Sequence, residues 1–284
     1  MDHGQTLSGH DGLEINSLTP ISRSYYFTEL LGLDRYTAFI IDNDTKDTLI
    51  AEDTNSANII KPILRGRDIK RYRANWAGLW LIDSHNGYDN IPPIDIEDYP
   101  AIKSYLDKFY TRLEKRQDKG VTPYNLRNCA YYVEFFKEKI VYPDIMRLPK
   151  GTTVLSNFPY MYLDKDGYFP EATNFILTSD MIRLIFAILT SKFGVYAFVN
   201  FYSGPIFDDK GFRYKKAYLE NLPIPLITDQ NCLLTSQIES LVDRIVTAKD
   251  ADPEADTRAT EVKVDQLVYQ LYKLTDEEIS LVES

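Results

Sequence analysis

With 284 residues and 44% hydrophobic content, the chain is long enough for one large domain, or a domain with an appendage, around a real core. A formal net charge of −10 argues at first sight against nucleic-acid binding, and Cys129 and Cys232 are too far apart for a metal-type spacing, which fits a reducing cytoplasm. The 21 tyrosines suit a binding surface and suit plain packing equally.

In chain order, residues 1–20 are rich in Gly, Ser, Asp and His without periodicity and read as a disordered lead-in; no apolar signal core opens them. Tyr36 to Asp42 has strand character and runs into a polar Asn43–Lys46 turn. Residues 61–73 carry six cations: Lys61, Arg65, Arg67, Lys70, Arg71 and Arg73, with Gly66 allowing a tight turn and Trp76 close behind. Leu79 to Asp83 is a short apolar run leading into Ser84-His85-Asn86-Gly87. Pro100 opens the clearest helix, with Ile102, Tyr105, Leu106, Phe109 and Leu113 on one face. Lys103, Lys108, Arg112, Lys115 and Arg116 load its other faces, and Gly120 and Pro123 end it.

Lys139 to Tyr142 and Met161 to Leu163 read as strands, with Asp164-Lys165-Asp166-Gly167 as a hairpin connection to the run around Tyr168. Ser179 is placed to cap a helix carrying Ile182, Ile185, Phe186 and Leu189. Met181 to Phe201 is apolar, but Arg183 and Lys192 interrupt it, so a buried core helix is expected and no membrane span. Leu222-Pro223-Ile224-Pro225 marks a boundary. Beyond it, Ile238, Leu241, Val242, Ile245 and Val246 form one helical stripe, and Val264, Leu267, Val268, Leu271 and Tyr272 another. Asp250 to Asp256 separates the two, and Thr275 with Glu278 makes a capping box. The expected fold is α/β (α+β): a mixed β-sheet domain with packed helices over residues 21–226, then an antiparallel helical hairpin over 227–284.

The charge is unevenly distributed. Residues 61–150 hold 17 Lys and Arg against 12 Asp and Glu, whereas the remainder holds 15 against 30. Salt screens beyond roughly 8–10 Å, so a basic middle inside an acidic protein still attracts phosphates.

The sequence offers no catalytic centre. Its only histidines are His3, His10 and His85, so a nucleophilic triad has little to draw on, and clustered zinc ligands, a Walker loop and a dinucleotide fingerprint are missing. Asn157-Phe158-Pro159-Tyr160 approaches the Asn-Pro-Pro-Tyr loop of adenine methyltransferases, with Phe in place of the first Pro and no glycine-rich cofactor loop before it. Pro143-Asp144 invites a nuclease reading, yet the acidic-x-Lys tripeptide Glu261-Val262-Lys263 is more than 100 residues downstream, inside an apparent helix.

On composition alone the basic segment reads as a solvated charge run. Its sequence, however, resembles the Leu-Arg-Gly-Arg-Asp-Ile-Lys-Arg-Tyr signature of TaqI-like C-terminal specificity domains, found in type IIG restriction–modification enzymes and adenine-specific methyltransferases. The resemblance extends to Ala38–Asp42, Arg116–Tyr131, Lys139–Pro143, Ala217–Pro225, and the tail Asp265–Tyr272 with Leu274–Ile279, spanning roughly residues 36–282 in fixed order. Where the family has a Gly-Ile-Lys-Thr-Gly-like turn, this chain has Leu31–Tyr36, which removes a lysine. The methyltransferase and nuclease portions that precede such domains are not in this sequence, so it is expected to hold the recognition module and helical tail.

The resemblance implies double-stranded DNA as partner, together with a methyltransferase or nuclease domain in cis or in trans. S-adenosylmethionine and Mg are expected only in those absent domains, with no cofactor, metal or catalytic residue on this chain. Lys61, Arg65, Arg67, Lys70, Arg71 and Arg73 would grip phosphates and some bases; Tyr124, Asn125 and Arg127, then His85 and Asn86, would reach base edges. Against these stand plainer readings: Asp68 pairing with Arg65 or Arg71, Tyr72 in the core, Asn125 as a turn residue. Two other functions remain open. One is a type I-like specificity subunit docking a methyltransferase in trans through its helices. The other is an active methyltransferase or nuclease with degenerate motifs.

Overall fold

The computed structural model describes residues 25–26, 38–147, 157–203 and 211–284; the expected lead-in and the Leu31–Tyr36 stretch lie outside them. A four-stranded antiparallel sheet divides the molecule, in the order β1 (Tyr25–Tyr26), β11 (Asn174–Leu177), β7 (Lys139–Pro143), β9 (Tyr162–Asp164). Side chains alternate across a strand, so each face collects every second residue. Ile140, Tyr142, Leu163, Phe175 and Leu177 enter one core, and Val141, Tyr162 and Ile176 enter the other. With both faces covered, these strands read as continuous apolar runs, and Lys139–Tyr142 is legible for that reason.

The N-terminal core is closed by a second sheet, β10 (Phe169–Pro170), β3 (Ile60–Leu64), β6 (Trp80–Ile82) and β2 (Ile40–Ile41). The polar Asn43–Lys46 run is not a turn but the first turn of α1 (Asn43–Glu52), because the Asp42 carboxylate accepts from Thr45 N at 2.9 Å and caps it. The basic helix starts at Pro100 as expected but breaks at Lys108–Phe109 into α2 (Pro100–Asp107) and α3 (Tyr110–Glu114). Asp164–Gly167 does turn, with Gly167 at φ +79° and the Asp164 carboxylate accepting from Asp166, Gly167 and Tyr168 N. It does not make a hairpin: β9 pairs with β7, while β10 runs parallel to β3 in the other sheet.

Helices fill the C-terminal core. α4 (Ile182–Thr190) is buried along almost its whole length, and Ser191 ends it and caps α5 (Lys192–Ala197) through Gly194 N. A Cβ on Gly194 would lie 1.8 Å from the Ile188 carbonyl, so α5 can fold back this closely only with glycine. No single helix among the described residues is long and apolar enough to cross a membrane; Ile182–Thr190 and Lys192–Tyr202 are bent by 68° at their junction. α7 (Cys232–Ala251) and α8 (Arg258–Tyr272) lay Ile238, Val242, Ile245, Val246, Val264, Val268 and Leu271 into this same core beside α4. Both arms of the Thr275–Glu278 capping box are present at the start of α9 (Asp276–Glu283).

Candidate nucleic-acid interface

The basic segment leaves β3 and folds into a hairpin, β4 (Ile69–Lys70) and β5 (Arg73–Ala74), with Arg71 and Tyr72 at its tip. Four of its six cations have intramolecular tasks. Arg65 forms a two-pronged pair with the buried Asp68, Nε to Oδ2 at 2.9 Å and Nη2 to Oδ1 at 2.7 Å, which closes the turn at Gly66. Lys70 Nζ donates to the Arg67 carbonyl at 2.7 Å. Arg73 meets Glu254, at the acidic α7–α8 turn, at 3.2 Å.

Arg71 points inward. Its guanidinium donates to the Phe158 carbonyl at 2.6 Å, to the Tyr72 hydroxyl at 2.6 Å and to Glu261 on α8 at 2.8 Å. Tyr72 takes the left-handed region, φ 65°, which turns the hairpin and sends its ring into the C-terminal core, edge-on to Phe186. The core reading of Tyr72 therefore describes the structure, and so does the pairing of Asp68 with Arg65. The same arginine explains two neighbouring motifs: Glu261 is engaged by it, and Phe158 is buried beside Tyr214 and Phe212 with its carbonyl bonded to Arg71. Arg67 is exposed and Lys61 half-buried, and neither has an ion pair among the described residues.

The structure brings the other predicted residues together. The loop after β6 and the loop after α3 are zipped by Ser84 Oγ to the Tyr124 carbonyl at 2.6 Å and by Leu126 N to the Ser84 carbonyl at 2.8 Å. Asn125 is buried and builds the turn: its Oδ1 accepts from Thr122 N and Oγ1, and its Nδ2 donates to the Ile94 carbonyl at 2.9 Å. Tyr124 is half-buried and donates its hydroxyl to Asp107. Asn86 bridges the loops, its Oδ1 accepting from Val121 N at 2.7 Å and its Nδ2 donating to Asn128 Oδ1. Arg127 is half-buried beside them. Residues 101–128, which carry α2, α3 and this loop, are predominantly basic, with Lys103, Lys108, Arg112, Lys115, Arg116, Lys119 and Arg127 facing few acids.

Sequence reasoning missed the groups that hold these loops. Arg116 stacks 4.7 Å over Phe39 and donates to the Asn125 carbonyl at 2.6 Å, a role that nothing in its charge-rich surroundings announces. His85 packs against Tyr88 and Tyr132, with ring centroids 5.0 and 5.2 Å away, and Tyr132 donates its hydroxyl to the buried Asp83. Burial, and then the neighbouring Lys61, lowers the pKa of His85. Burial pushes the Asp83 carboxyl up to about 6, against which the Tyr132 hydrogen bond and Lys61 work. Burial likewise raises Asp265 on α8 to about 6.

A carboxyl raised from 3.8 favours folding in its neutral form, so that stability is complete below about pH 4 and is lost as pH rises through 6. Urea unfolding between pH 4 and 7 should show stability falling across this window. Asp83→Asn should make the fall shallower, with Asp265 supplying the rest; an unchanged slope would show that Asp83 does not titrate there.

No protein-family model matches the sequence. Among solved structures, the chain is similar to the type IIL restriction–modification enzyme MmeI in complex with DNA, with a TM-score of 0.60 and 14% identity over 92% of this chain and 34% of that one. The type IIG restriction endonuclease BpuSI matches with a TM-score of 0.46 and 12% identity over 89% of this chain and 31% of that one. The chain thus spans about a third of the length of each structure that it resembles. It has the mixed α/β fold, ending in a helical pair, of part of a type IIL restriction–modification enzyme.

Proposed function

We propose that this chain is the target-recognition portion of a restriction–modification enzyme of the type IIG or IIL kind, reading the sequence of double-stranded DNA and holding no catalytic centre of its own. Methyl transfer and cleavage, with S-adenosylmethionine and Mg, then belong to portions in cis or in trans, and the place of work is the cytoplasm. One observation carries this reading: the fold is shared with MmeI, whose structure was solved in complex with DNA. The two zipped loops support it, because they hold exposed polar groups in fixed positions beside a basic face, as base readout requires. The trans arrangement is the less favoured form, since α7 and α8 lay their apolar stripes on α4 instead of presenting them to a partner.

The cations to test are those with no side-chain hydrogen bond or ion pair among the described residues. Lys61→Ala/Arg67→Ala/Arg127→Ala should keep the melting temperature within a few degrees while weakening binding to a random-sequence duplex. The slope of log K against log salt should become shallower by about 0.9 for each phosphate that the variant no longer neutralises. A folded wild-type chain that binds no duplex even at roughly 50 mM salt, where phosphate contacts are strongest, would remove the reading. Tight S-adenosylmethionine binding by the chain alone would overturn its non-catalytic part.

A further inference from the structure

The bridge between the two loops fixes which hydrogen-bonding groups remain for a ligand. Gly87 N donates to His85 Nδ1 at 3.2 Å, so that nitrogen is the lone-pair side of the ring and the proton sits on Nε2. Nε2 has no partner among the described residues and is not one of their enclosed unpaired atoms, so it is open to solvent as a donor. Asn86 cannot be turned over, because its Oδ1 accepts from a backbone N–H, that of Val121; its Nδ2 therefore donates, and Asn128 must answer with Oδ1. That leaves Asn128, an exposed residue, with its amide nitrogen without a partner among the described residues. The groups of the bridge left without a partner among the described residues are thus donors, His85 Nε2–H and the Asn128 amide nitrogen.

Their positions are held rather than sampled. A Cβ on Gly120 would lie 2.2 Å from Asn86 Oδ1 and 2.6 Å from the Leu126 carbonyl, so the loops close this tightly around glycine alone. His85 packs against both Tyr88 and Tyr132, whose own rings stack at 4.2 Å. In the major groove guanine alone presents two acceptors side by side, N7 and O6; adenine sets a donor beside its N7, thymine a methyl beside its O4, and cytosine a donor.

We propose that the two unpartnered donors, His85 Nε2–H and the Asn128 amide nitrogen, form a reading head that selects guanine in the major groove through its N7 and O6. This rests on the DNA-recognition reading above and deepens it. Backbone phosphate oxygens are also acceptors, but contacts to them respond to salt rather than to the base.

The test uses the full chain and the tightest duplex it selects from a random pool, resynthesised with 7-deaza-2′-deoxyguanosine, which lacks the N7 acceptor. Wild type should bind the deaza duplex about tenfold more weakly, the scale of a single hydrogen bond. His85→Ala should bind both duplexes alike, with the salt slope unchanged, and His85→Gln, whose amide nitrogen falls near Nε2, should restore part of the discrimination. Equal binding of both duplexes by the wild type would overturn the proposal, as would His85→Ala making the salt slope about one unit shallower, the mark of a phosphate contact. Failure of a folded chain to bind any duplex would instead sink DNA recognition itself.

Discussion

Lys139→Ala is expected to lower the unfolding free energy by about 3–5 kcal/mol, the cost of leaving one buried charge without its partner. Lys139 and Asp164 face each other in register on β7 and β9, both fully buried, with Nζ 2.5 Å from Oδ2. The ammonium also donates to the Phe135 carbonyl at 2.8 Å, and the carboxylate accepts three backbone N–H groups from the turn that follows it. Burial drives the lysine down and the aspartate up from their ordinary pKa values, and their mutual attraction opposes both shifts. Removing the ammonium therefore strands a carboxylate that is wired into the turn. Urea denaturation gives the number. Arg258→Ala is the control, because its pair with Asp256 is exposed and its removal should leave stability nearly unchanged. A loss for Lys139→Ala no larger than that of the control would mean that the pair is not held as described.

Arg71→Ala is expected to cost about 2–4 kcal/mol, since a largely buried guanidinium joins three elements and its removal takes the partner from Glu261 Oε2 and the Phe158 carbonyl. Arg71→Lys should recover little, because a single ammonium cannot reproduce the planar fork that reaches Phe158, Tyr72 and Glu261 together. Hydrogen exchange should show faster opening of α8 in the variant. Arg67→Ala, in the same segment, should leave stability unchanged. If Arg71→Ala melts like wild type, the hairpin tip does not anchor the tail.

On composition the cations of residues 61–73 read as a solvated charge run, and the resemblance makes them a phosphate grip, but a count of charges is blind to direction. Arg65 takes Asp68, the nearby partner that the sequence already offers, whereas Arg71 takes Glu261, which only the fold delivers across 190 residues. The β-strands and the α7 and α8 stripes were legible because burial imposes a period on apolar residues. The break of the basic helix at Lys108–Phe109 was not, because the apolar stripe runs through it without a Gly or Pro. The mistaken hairpin at Asp164–Gly167 has a similar origin: the turn chemistry is local and correct, whereas the choice of sheet for each flanking strand is set by partners far away in sequence. At the candidate interface, His85, Asn86 and Tyr124 follow from the resemblance and their place on polar loops, yet the clasp formed by Asn86, Asn128 and Gly120 exists only in three dimensions.

The dividing sheet has a consequence for how its pairing is specified. In a sheet with one wet face, slipping a strand by one residue drives apolar side chains into water, and that penalty selects the register. Here neither face of β7 meets water, so a slip would merely exchange Val141 for Ile140 and Tyr142 between two equally dry interiors. Discrimination must come from polar atoms that tolerate only one partner: the ammonium of Lys139 opposite the carboxylate of Asp164, and the Asn174 amide donating to the Leu64 carbonyl. In this molecule the apolar residues make the sheet stable, and two buried polar contacts tell its strands where to stop.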